Sequence, residues 1–149
     1  KYASSAIRTA LESGDPVSAA QAMGRPFAIE GVVSHGDKRG RTLGFPTLNI
    51  ALGDYQRPQF GVYATRTTLA DGRAIPGVAN LGLRPSVEGT EARLEVHLFD
   101  VNEDLYGQTV ETQLLTFIRP EQRFEGLDAL KAQIAKDSEA ARALLLPPL

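Results

Sequence analysis

The sequence predicts a mainly β domain, an antiparallel barrel or sandwich, with short helices before it and one helix after it. Three observations carry this. Five β-rich runs follow one another, at Phe27 to His35, Gly61 to Leu69, Arg73 to Leu83, Arg93 to Val101 and Thr109 to Ile118. Turn residues separate them, and Asp71-Gly72 between two of them is a hairpin signal. No helical pattern lies between the runs, so the strands need no crossover helices and pair antiparallel.

The elements follow in order. Ser4-Ser5 before Ala6-Ile7-Arg8-Thr9-Ala10-Leu11 reads as a capped short helix with Ile7 and Leu11 on one face. Gly14 is placed to end it, and Asp15-Pro16 supplies the cap and first residue of a second helix that ends near Met23-Gly24. Gly53 to Pro58 is a loop. In Arg93-Leu94-Glu95-Val96-His97-Leu98-Phe99, Leu94, Val96 and Leu98 share one face and belong to the core. Glu95, His97 and Phe99 share the other, which on spacing alone is a solvated strand face. The last helix carries Leu127, Leu130, Ile134, Ala141 and Leu145 close to one stripe, with Asp128 in its first turn, and packs as a lid on the barrel.

The chain has 149 residues, enough for one domain with a real core and hardly for two. Hydrophobic residues make up 42% and charged residues 23%, the balance of an ordinary globular protein. Sixteen basic against eighteen acidic residues give a net charge of −2, which argues against a general nucleic-acid binder. Cysteine is absent, so disulfides, thiolate metal sites and cysteine nucleophiles are excluded. No apolar run has membrane-spanning length and no signal peptide is evident, so a cytoplasmic location is expected.

The most informative stretch is Gly40-Arg41-Thr42-Leu43-Gly44-Phe45-Pro46-Thr47-Leu48-Asn49-Ile50. Two glycines and a proline permit a backbone path that most residues resist. Thr47 and Asn49 are two apart on an extended segment, so both present neutral oxygens to one point. Hard cations such as Mg²⁺ take oxygen ligands and keep substrate phosphates around few protein groups. Upstream, Gly36-Asp37-Lys38-Arg39-Gly40-Arg41 is glycine-flanked and basic, which suits phosphate. The same residues also suit a glycine-rich hairpin whose Thr/Asn pair only satisfies turn backbone. No Gly-x-x-x-x-Gly-Lys-Ser/Thr loop and no protein-kinase signature occurs, so a nucleotide site here is non-standard.

Gly40 to Asn49 closely resembles the Gly-Arg-x-Leu-Gly-Phe-Pro-Thr-Ala-Asn signature of riboflavin kinases. The resemblance continues through Gly61-Val62-Tyr63, Asn80 to Ser86, Leu94-Glu95-Val96-His97, Asp104 to Gly107 and Ile118-Arg119. Order and spacing match the C-terminal half of the bacterial bifunctional riboflavin kinase/FMN adenylyltransferase, or FAD synthetase, over roughly Arg25 to Arg142. Leu48 replaces the usual alanine and Ser86 the usual threonine.

The resemblance implies a six-stranded Greek-key barrel over residues 25–149. Residues 1–24 are then a helical linker or remnant of an adenylyltransferase domain, absent here and the natural partner. It implies Mg²⁺-dependent transfer of phosphoryl from ATP to riboflavin, giving FMN and ADP, with no FAD made by this stretch. The alternative is a non-catalytic flavin- or nucleotide-binding barrel that regulates or docks. Carried over residue by residue, Glu95 matches the catalytic glutamate, and Thr47 and Asn49 the Mg²⁺ ligands. Gly36, Lys38, Gly40, Arg41, Phe45, Pro46, Thr47 and Asn49 are expected around the nucleotide. Glu95, Arg84, Phe99, Tyr106, Arg119 and Phe124 are expected around the flavin substrate, where an apolar slot needs a few polar groups at its edge. Arg84 to Glu91 matches a mobile flap, and otherwise reads as an ordinary hairpin connection. His35 and His97 are read as structural.

Overall fold

The computed structural model describes residues 4–34 and 47–145. Two short helices come first, α1 (Ser5–Glu12) and α2 (Pro16–Met23). The Ser4 hydroxyl accepts from the Ile7 N–H at 3.3 Å, and the Asp15 carboxylate accepts from the Ser18 N–H at 3.1 Å. Each bond satisfies a helix-end donor that has no partner within the helix. Pro16 occupies the first turn of α2, and Gly24 closes that helix in the left-handed region at φ 78°. The helices are sewn to the barrel. Leu11 and Ala19 belong to its main apolar cluster, and the Leu11 carbonyl accepts from the Gln59 N–H at 2.9 Å.

Six strands follow: β1 (Phe27–Val32), β2 (Leu48–Ala51), β3 (Gly61–Thr68), β4 (Ala74–Ser86), β5 (Gly89–Leu98) and β6 (Thr109–Pro120). All pairings are antiparallel, in the order β1-β6-β3-β4-β5-β2. β3, β4 and β5 form a meander and β6 returns beside β3, which is the Greek-key arrangement. The sheet nearly closes, because Ser34 after β1 bridges Asn49 on β2, its N–H donating to the Asn49 carbonyl at 2.9 Å. The sequence therefore predicts the architecture correctly, with differences at the margins. β2, only four residues long, is too short to show a strand pattern of its own, and it pairs with β5 from Leu48↔Val96 to Ala51↔Arg93. β4 and β5 run on into the polar Arg84–Glu91 stretch and meet at a tight turn over Val87 and Glu88.

The inward residues come from alternate positions of every strand. Ile29, Ile50, Leu81, Leu94, Val96 and Leu114 are wholly buried there. Leu48 is among them, so the residue that replaces the family's alanine packs in the core. The last helix, α3 (Leu127–Leu145), crosses the outside of β3, β4 and β6. Val62, Ala64, Val78 and Phe99 on the outer face close a second apolar cluster with Ala141 of α3. The face that reads as solvated is therefore roofed.

Candidate active site

Register builds the site. Asn49 on β2 pairs with Glu95 on β5, Glu95 with Asn80 on β4, Asn80 with Val62 on β3, and Val62 with Arg119 on β6. Directly opposed residues of antiparallel strands point to the same side, with Cβ atoms about 4.5–5.5 Å apart. Leu94 and Val96, flanking Glu95, face the core, so this polar row lies on the outer face. The pairing of β3 with β6 shifts register just after Val62, a bulge of the kind that re-aims side chains beside functional sites.

Between that outer face and α3 lies a cleft of about 770 Å³. Thr47, Arg84, Glu95, Arg119 and Phe124 line it, together with Asn80, His97, Glu121 and Asp137. Five of the residues expected in the site thus meet in one cavity. Asn49 stands next to it in the row, 4% exposed. Phe99 does not line the cleft. It follows β5 directly and is roofed by α3, with the Arg142 guanidinium 4.1 Å from its ring centroid. Tyr106 lies in the turn before β6, half exposed and away from the cleft. Gly36, Lys38, Gly40, Arg41, Phe45 and Pro46, like His35, lie outside the described residues. His97 lines the cleft with its ring edge-on to Phe99 at 5.7 Å.

The charges are arranged in two linked sets. Arg84 Nε donates to Glu95 Oε1, and Arg84 Nη1 approaches Glu121 Oε1 at 3.5 Å. Burial opposes the Arg84 charge, but the attraction and hydrogen bond of Glu95, backed by Glu121, outweigh it and hold the guanidinium above its ordinary pKa. Glu95 is thereby anchored as a half-buried carboxylate with a fixed direction. In the second set, Asp137 of α3 is nearly buried and grips Arg119 through Nε at 3.0 Å and Nη2 at 2.8 Å. Gln133 donates to the same carboxylate at 3.0 Å, and the Arg119 guanidinium lies 5.6 Å from the centre of the Phe124 ring. This two-point grip locks α3 to the end of β6 and fixes one wall of the cleft.

Two polar atoms of the row are left over. Asn49 Oδ1 and Asn80 Oδ1 are buried and have no hydrogen-bond partner among the described residues. They flank Glu95 on the two strands beside it. Buried acceptors are normally paired, and each that is not costs about 1–3 kcal/mol. Among the described residues no cluster of three His, Asp or Glu could hold a metal.

Asn80, Glu121 and Asp137 are site residues that the sequence reading passes over. Asn80 and Asp137 each leave a trace, as a lone polar residue in an apolar pattern: Asn80 within Gly77-Val78-Ala79-Asn80-Leu81, and Asp137 between Ile134 and Ala141 on the apolar stripe of α3.

The family model described as Flavokinase, riboflavin kinase, matches residues 23–145. The bifunctional riboflavin kinase/FMN adenylyltransferase of Escherichia coli K12 is 49% identical over 142 residues, which are 95% of this chain and 45% of that protein. The chain spans about half the length of the curated relatives it matches. A solved structure from Streptococcus pneumoniae, named a macrolide-efflux protein, is 38% identical with a TM-score of 0.85, over 95% of this chain and 47% of that one. Riboflavin kinase from Trypanosoma brucei is 26% identical with a TM-score of 0.62, over 83% of this chain and 79% of that one. The barrel, the roofed cleft and these matches agree, and the chain belongs to the riboflavin kinase family.

Proposed function

We propose that this chain transfers the γ-phosphoryl group of ATP to the 5′-hydroxyl of the ribityl chain of riboflavin, giving FMN and ADP. The observation that carries the reading is the Glu95 carboxylate, anchored in the cleft by Arg84 between two buried amide oxygens. Phosphoryl transfer asks a protein for alignment and charge stabilisation more than for covalent chemistry. Glu95 accepts the hydroxyl proton as that oxygen forms its bond to the γ-phosphorus and the bond to the ADP oxygen breaks. Arg84 keeps the carboxylate aimed. Arg119 and Phe124 form a wall against which the flavin ring packs, with α3 excluding water behind them. Residues 1–24 serve as the helical joint to an adenylyltransferase domain in a longer chain, and the cytoplasm is the compartment.

The residues also suit Mg²⁺. Asn49 Oδ1 is a buried oxygen without a partner among the described residues, and Thr47 offers a hydroxyl two residues away on the cleft wall. Both are neutral oxygens of the type Mg²⁺ accepts, and they would hold it. When bound, Mg²⁺ neutralises phosphate charge.

Thr47→Ala and Asn49→Ala are each expected to raise the Mg²⁺ concentration for half-maximal turnover at least about tenfold, since loss of even an outer partner of a metal ligand costs that much. ADP affinity measured by calorimetry should fall in parallel when Mg²⁺ is present and stay constant when it is chelated. Unchanged Mg²⁺ dependence in both variants would return the pair to the role of turn residues.

A further inference from the structure

We propose that Asn80 is a substrate-binding residue whose side-chain oxygen accepts a hydrogen bond from a hydroxyl of a polyol chain lying along Glu95. The proposal rests on the reading of the cleft as a site for a flavin with such a chain.

Asn80 is held at the centre of the polar row, between Glu95 and Val62. Its side chain lines the cleft, and its Oδ1 is buried without a partner among the described residues. Its inner neighbours Ala79 and Leu81 are buried in the core, so the strand cannot rotate to give the amide another partner. A native fold tolerates an unpaired buried acceptor where a ligand completes it. Glu95 Oε1 is paired with Arg84 Nε, and Asp137 with Arg119, so the fully buried acceptors left without a partner among the described residues in this wall are the two amide oxygens beside the carboxylate. A group that completes Asn80 must bring a donor and fit beside an ionised carboxylate that also accepts. An alcohol chain does both, because each hydroxyl can donate to one oxygen while its neighbour donates to the other. A phosphate or carboxylate cannot, since it brings only acceptors next to Glu95.

The geometry also explains a selectivity. A site built around an unpaired acceptor discriminates against an analogue that lacks the hydroxyl, because the acceptor then stays unpaired.

The test is a binding cycle on the 149-residue chain, with ADP and Mg²⁺ present and flavin fluorescence as the readout. Riboflavin is compared with lumiflavin, which has the same ring and a methyl group in place of the polyol chain. Asn80→Ala should weaken riboflavin about 3–10-fold, the worth of one neutral hydrogen bond, and leave lumiflavin within about twofold. Thermal unfolding should show Tm unchanged or raised, because the substitution removes an unpaired buried group. If riboflavin and lumiflavin weaken equally, or neither weakens, the hydroxyl contact is overturned. A fall in Tm would make Asn80 a structural residue and overturn it too. If the parent protein binds neither flavin, the reading of the cleft fails and the proposal with it. If the parent prefers riboflavin and the variant keeps that preference, the proposal alone fails.

Discussion

Glu95→Gln is expected to lower kcat by about 10²–10⁴-fold while the barrel stays folded, the range of a positioned general base. Glutamine keeps the size and one acceptor oxygen but loses the charge and basicity. The interaction lost is made mainly in the transition state, so kcat should fall more than KM for riboflavin rises. The fold should survive for a stated reason. Leu94, Val96 and Leu98 carry the packing of β5 and are buried on the opposite face. Arg84 keeps Glu121 and the Leu83 carbonyl, to which its Nη1 donates at 2.8 Å. Steady-state kinetics beside thermal unfolding checks this. A folded variant with kcat within about twofold of the parent contradicts the role of Glu95, since so small an effect is under 1 kcal/mol of barrier.

Gly61→Ala is expected to be the most damaging small substitution for stability. Gly61 begins β3 with φ 151°, a conformation open to glycine and strained for alanine. A Cβ there would overlap the Arg119 carbonyl oxygen and sit 2.8 Å from Phe117 Cε1. The first of these is backbone, on the paired end of β6, and cannot swing away. Strain of about 1–3 kcal/mol and overpacking of a similar size together give a loss of about 2–6 kcal/mol. At about 2–4 °C per kcal/mol for a chain of this size, Tm should drop by about 5–20 °C. Because the displaced strand carries Arg119, flavin affinity should fall as well. A Tm within about 2 °C of the parent would show that β6 can yield at this point, contrary to the packing described.

How much was legible in the sequence follows from range. The helix caps Ser4 and Asp15 bond to residues three positions on, so local reading finds them. The alternation around Glu95 correctly separates its core-facing neighbours, because a strand's faces are set by a period of two. On spacing alone the opposite face reads as solvated, because its cover is α3, which starts some thirty residues later. For the same reason spacing does not show that Phe99, expected beside the flavin, packs under the helix. β2 is legible only through its partner β5, as four residues carry too little pattern alone. Arg84 and Arg119 were found through resemblance, whereas their anchors Glu121 and Asp137 lie 37 and 18 residues away in the chain. An ion pair of that separation leaves no mark in spacing. Asp137 nevertheless sits four residues after Gln133 on the apolar stripe, and an acid at such a position calls for a buried cation.

The central claim is that the cleft performs phosphoryl transfer to a flavin alcohol. The direct measurement is incubation of the 149-residue chain with riboflavin, Mg²⁺ and ATP labelled at the γ-phosphorus, followed by chromatographic separation of the flavins. The account predicts that label enters FMN in a one-to-one ratio with ADP formed, that none enters FAD, and that Glu95→Gln abolishes most of the transfer. Riboflavin bound to the folded chain with no labelled FMN would contradict it and make the barrel a binding module.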